Sequence, residues 1–85
     1  MIPTSKDFQD ELNKIFRHAQ SQNLPSVEVN AGDLHRRVGG YPGKTHRMPS
    51  CCQVMRANMQ AGDQILAAPP KGNGATLEIR YCLPR

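Results

Sequence analysis

The side chains most able to do chemistry in this 85-residue chain are its thiols and imidazoles. Cys51 and Cys52 are adjacent, His46 stands just before them, and His35 or Cys82 could complete a set of four soft ligands. A structural zinc site draws two ligands from either side of a short turn so that both point at one ion, whereas neighbours on a helix diverge by about 100°. The spacing therefore predicts buried thiols and no metal. A nucleophilic Cys51, acidified by a helix amino terminus and by His46 or Arg47, is the enzymatic alternative. It lacks the third group that would orient a base, so no catalytic residue is assigned.

A second chemical motif runs from Val38 to Thr45, Val-Gly-Gly-Tyr-Pro-Gly-Lys-Thr. It comes near a phosphate-cradling loop, which needs glycine, four residues, then glycine, lysine and serine or threonine. Val38 occupies the first glycine position. The residues before it, Leu34-His35-Arg36-Arg37, are no buried strand, and a chain of this length cannot build the parallel sheet such loops require. No nucleotide or other cofactor is expected.

Charge is more informative. The formal net charge is +4, yet residues 1–25 balance three bases (Lys6, Lys14, Arg17) against three acids (Asp7, Asp10, Glu11). From Leu34 to Gln60 there are five bases, Arg36, Arg37, Lys44, Arg47 and Arg56, and no acid. Such a block attracts polyanions. Read as a nucleic-acid surface, these five contact phosphates, Gln53 and Asn58 reach base edges, and Lys71 adds a contact from a separate loop. The bland alternative is a solvated face. A rival of another class is a protein-interaction module, in which the Met48, Met55 and Met59 region adapts to an acidic or apolar protein partner.

These residues must be held by one small core. With 38% apolar and 5% aromatic residues, the chain has material for a single domain over residues 1–85. The polar amino terminus lacks the apolar region of a secretory signal, and no apolar run approaches a membrane span, so a cytoplasmic protein without membrane partners is expected. An odd cysteine count in that setting predicts free thiols.

Thr4 can cap a helix with Asp7 three residues on, and Phe8, Leu12, Ile15, Phe16 and Ala19 then form one apolar stripe that fades near Gln22. Val27 and Val29 alternate with polar residues as a short strand. Asn30 caps a second helix that Gly39 and Gly40 end, and Pro49 opens a third, running to Gln60, with Gly62 as its stop. Asp63–Ala68 and Ala75–Leu83 read as a hairpin around Pro69 to Gly74. The expected fold is α+β: three helices packed on a three-stranded antiparallel sheet, in the order α-β-α-α-β-β.

That order resembles the winged helix-turn-helix group, which implies groove contact by the third helix, here Pro49 to Gln60, and backbone contact by the hairpin loop, Pro70 to Gly74. The turn between the second and third helices departs from the group at nine or so residues, against the usual three or four. The stretch Asp33-Leu34-His35-Arg36-Arg37-Val38-Gly39-Gly40-Tyr41-Pro42-Gly43, with His46-Arg47-Met48-Pro49 and Cys51-Cys52, also resembles a small family of uncharacterised bacterial proteins. The resemblance runs from about Gly32 to Arg85 and implies a bacterial source, with no catalytic residue.

Overall fold

Apolar spacing and capping chemistry both act at the start of the chain. Thr4 Oγ1 accepts from the Asp7 backbone N–H at 3.3 Å, and the Asp7 carboxylate accepts from the Thr4 N–H at 2.8 Å. This reciprocal pair satisfies two donors that the first helical turn would otherwise leave open. The helix it opens, α1 (Ser5–Ser21), buries Phe8, Leu12, Phe16 and Ala19 along one stripe. The computed structural model describes residues 3–39, 43, 47–70 and 74–84.

After a turn in which Asn23 takes a left-handed backbone (φ 59°), β1 (Ser26–Asn30) leads directly into α2 (Ala31–Val38). Asn30 ends the strand and caps the helix at once, its side-chain oxygen accepting from the Asp33 N–H at 3.1 Å. Gly39 terminates α2 at φ 114°, a backbone conformation that strains residues bearing a Cβ. Then α3 (Met48–Ala57) carries Pro49 in its first turn. The strands β2 (Gln64–Ala67) and β3 (Glu78–Cys82) follow.

The order α1-β1-α2-α3-β2-β3 and the antiparallel sheet, arranged β1-β3-β2, agree with the α+β fold expected from the sequence. β3 is central. Val27 faces Tyr81 and Val29 faces Ile79 across the β1–β3 pair, so alternation puts these four side chains on one side of the sheet. The three helices pack on one another, and α1 and α2 lie against β1. Between the layers Phe8, Leu12, Leu34, Cys51, Cys52, Met55, Leu77, Ile79 and Tyr81 are fully buried. Each large member contributes about 1.5–3 kcal/mol relative to an exposed position. Edge-to-face ring pairs join Phe16 to Tyr81 and Phe8 to His35, both at 4.9 Å.

Three boundaries differ from expectation. β3 spans Glu78–Cys82, not Ala75–Leu83, because the residues before it turn, the Leu77 N–H donating to the Gly74 carbonyl at 3.2 Å. α3 ends at Ala57, not Gln60, because the Asn58 side chain bonds the helix end: its Nδ2 donates to the Val54 carbonyl at 2.7 Å and to Gln9 of α1 at 2.7 Å. The remaining carbonyls of that turn are also occupied, Met55 by the Tyr81 hydroxyl at 2.8 Å and Arg56 by the Met59 N–H at 3.1 Å. β2 is shorter than the expected Asp63–Ala68 and carries a bulge between Ile65 and Ala67. Every residue of β2 is exposed; Ile65 lies opposite the buried Ile79 yet remains 46% exposed, because the helices sit over the β1 side of the sheet. No helix among the described residues is long and apolar enough to cross a membrane.

Candidate functional site

The thiols are structural. Cys51 and Cys52 are free and fully buried on α3. Cys51 Sγ donates to the Ala31 carbonyl at 3.5 Å, while Cys52 Sγ donates to the Gly74 carbonyl and accepts from the Gly74 N–H, both at 3.5 Å. One cysteine thus joins α3 to the start of α2 and the other to the turn before β3. Burial, with a smaller push from neighbouring Cys52, raises the Cys51 thiol to about 12, the opposite of what a nucleophile needs. Cys82 is the exposed thiol, its Sγ against the Gly62 carbonyl at 3.2 Å. Among the described residues no three His, Cys, Asp or Glu side chains gather as a metal would require. His46 and most of the glycine-rich stretch from Val38 to Thr45 lie outside the described residues.

His35 is also committed to the fold. It is fully buried on α2, and its Nε2 accepts from the Arg47 backbone N–H at 2.8 Å. Nε2 is the acceptor in that bond. It ties the residue that opens α3 to α2, and so sets where the third helix begins. The sequence offered His35 as a metal ligand and gave no signal for this link.

The basic residues divide into groups. Arg36 pairs with Asp33 at 2.9 Å and Arg37 with Glu11 at 3.0 Å, so both are met by carboxylates of the folded chain. Both arginine side chains are more than half exposed; the Arg36–Asp33 pair, open on both sides, is worth about 0–1 kcal/mol, little enough for a phosphate to compete, whereas Glu11 of the other pair is largely enclosed. Arg47 is exposed just before α3; Gln53 is exposed and Arg56 half-buried six and nine residues further on. Gln53 and Arg56, with exposed Pro49 and Ala57, make up the outward side of α3, a helix with no acidic residue. Lys44 and Lys71 lie outside the described residues.

Four side chains offered from sequence to a binding surface serve the interior. Asn58 forms a reciprocal amide pair with Gln9, its Oδ1 accepting from Gln9 Nε2 at 3.0 Å, and is half-buried in that pair. Met48 and Met55 belong to the core and Met59 packs partly against it, so these methionines do not form an open adaptable surface.

Sequence reasoning missed α1. Its charges cancel by count, but its acids are engaged: Asp7 in the amino-terminal cap, Asp10 with Lys6 at 2.8 Å, Glu11 with Arg37. Lys14 and Arg17, both exposed, have no carboxylate within ion-pair distance among the described residues. They border an open groove of about 690 Å³ between α1 and the segment following α3, lined also by Asn13, Gln20, Asn58 and Gln60. Pairing each acid with a base three or four residues away would have exposed the surplus only in part, since the Glu11–Arg37 bridge spans two helices. No protein-family model, curated protein or solved structure matches the chain.

Proposed function

We propose that this chain is a non-enzymatic nucleic-acid-binding module that engages the phosphate backbone through α3. The observation that carries the reading is α3 with the residue that precedes it: Arg47 just before the helix, Gln53 and Arg56 on its outward side, and no acid. It is supported by topology. The order α-β-α-α-β-β with the sheet arranged β1-β3-β2 gives α3 the sequential position of the groove-contacting helix in winged helix-turn-helix proteins. In this reading Arg47 and Arg56 take phosphates and Gln53 reaches a base edge. Arg36 exchanges the Asp33 carboxylate for a phosphate at small cost, Arg37 reaches one while its Nε keeps the Glu11 carboxylate, and Lys44 and Lys71 add further phosphate contacts.

The test is a salt titration of affinity for mixed-sequence duplex DNA, single-stranded DNA and RNA between roughly 50 and 200 mM salt. Affinity should fall linearly on logarithmic axes, and replacing both Arg47 and Arg56 by glutamine should lessen the slope by about 1.8 on duplex or about 1.4 on a single strand. No binding to any of the three at the lowest salt refutes the reading.

A protein-interaction role is favoured by a different observation, the uncovered edge strand β2 with Ile65 46% and Leu66 38% exposed. An extended apolar segment of a partner would add there as a fourth strand. Binding that survives high salt and nuclease, and is lost on Ile65→Lys, would identify it.

A further inference from the structure

We propose that the groove between α1 and the segment following α3 is a second phosphodiester-binding surface, in which Lys14 and Arg17 hold backbone phosphates. The inference rests on the nucleic-acid reading of α3 and adds a surface which that reading does not contain.

Electrostatics give the first argument. Asp10 lines the groove, but its carboxylate holds Lys6 at 2.8 Å, and Glu11, one turn before Lys14, holds Arg37 at 3.0 Å. Lys14 and Arg17 are three residues apart on one helix, so their Cβ atoms lie about 5–6 Å from each other and present two cations side by side. A ligand with repeating negative charge can satisfy both; a neutral one leaves them in water.

The second argument concerns the rest of the lining. Asn13, Gln20 and Gln60 bring amide groups to the same groove, which suits sugar oxygens and base edges more than an apolar ligand, while Asn58 spends its amide on Gln9 and Val54 and braces the wall. The walls are fixed relative to each other. Gln9 Nε2 donates to Asn58 Oδ1 at 3.0 Å and Asn58 Nδ2 donates back at 2.7 Å, while Gln9 also holds Asn13 at 3.0 Å. The Gln60 N–H is held by the Asp63 carboxylate at 2.8 Å. Ordering these groups before the ligand arrives lowers the entropy that binding must overcome. Asn58 directly follows α3, so the groove lies at the carboxyl end of that helix.

The experiment compares wild type, Lys14→Gln/Arg17→Gln and Arg47→Gln/Arg56→Gln against one labelled mixed-sequence oligonucleotide, as duplex and as single strand, over a salt series. Lys14 and Arg17 are exposed, so thermal unfolding of the first variant should match wild type. Two lost phosphate contacts should lessen the logarithmic salt slope by about 1.8 on duplex or about 1.4 on a single strand. A slope equal to wild type overturns the proposal, and if the Arg47/Arg56 variant is weakened in the same series, the α3 reading stands without it. If wild type does not bind at low salt, both fall together. A second readout needs no variant: the side-chain amide resonances of Asn13 and Gln60 should shift on titration of the oligonucleotide, and resonances that stay still while binding saturates also overturn the groove.

Discussion

Raising pH above 9 should destabilise this protein through one buried thiol. Cys51 is completely enclosed in α3, and burial lifts it from an ordinary 9.0 to about 12, with Cys52 adding to the shift. The unfolded chain releases that proton near pH 9 and the folded chain holds it until about 12, so over this interval the folded state binds more protons. Stability then falls as pH rises. The contribution is intact below pH 9, is reduced by about 1 kcal/mol at pH 10, and by a few kcal/mol as pH approaches 12. Small domains have only about 5–15 kcal/mol in total, so the loss is measurable. Urea unfolding of wild type and Cys51→Ala, in reductant at pH 8 and pH 10, isolates the effect, because every other titrating group is common to both. With a slope near 1 kcal/mol per molar urea, the wild-type midpoint should drop by about 1 M more than that of the variant. Equal pH dependence in the two proteins would refute the assignment of the alkaline loss to Cys51.

Further outcomes follow from the packing. An alkylating agent at neutral pH should label Cys82 quickly and leave Cys51 and Cys52 unreacted until the chain unfolds; fast modification of more than one thiol by mass spectrometry contradicts the burial of the pair. Gly32→Ala should destabilise, although alanine normally gains about 0.5–1 kcal/mol over glycine within a helix. The new Cβ would sit 3.2 Å from the Cβ of Ala75 and 3.3 Å from its carbonyl oxygen, where the Gly32 N–H now donates; a higher melting temperature would show that the contact relaxes freely. Tyr81→Phe should cost about 1–3 kcal/mol by leaving the Met55 carbonyl without its buried donor, and a loss under 0.5 kcal/mol in denaturant unfolding would mean that another group takes its place.

Local rules carried the fold. The Thr4–Asp7 box, the Asn30 cap, the apolar stripe of α1 and the alternation of Leu77, Ile79 and Tyr81 each depend on residues a few positions apart, and each appears in the structure as read. Boundaries slipped where distant residues intervened. Asn58 closes α3 early through its bond to Gln9, 49 positions away, and β2 is exposed because the helices settle over β1, which no periodicity within β2 encodes. The candidate site was less legible for the same reason. Counting charges along the chain singled out Arg36 and Arg37 and passed over Lys14 and Arg17, but folding reversed their positions: Glu11, counted against the bases of α1, is spent on Arg37 of α2. Net charge per segment locates a surplus only when its ion pairs form within that segment.

The exposure of β2 also ranks the parts of the molecule by how readily they open. That strand is held by its ladder with β3 and by the Asp63 carboxylate, which accepts from the Cys82 N–H at 2.7 Å and the Gln60 N–H at 2.8 Å, while its own side chains bury little. Fraying should begin there and stop at β3, whose other edge is bonded to β1 beneath α1 and α2. Amide exchange should therefore run fast for the β3 groups that face β2 and slow for those that face β1, so that a single strand displays two protection levels on alternate residues.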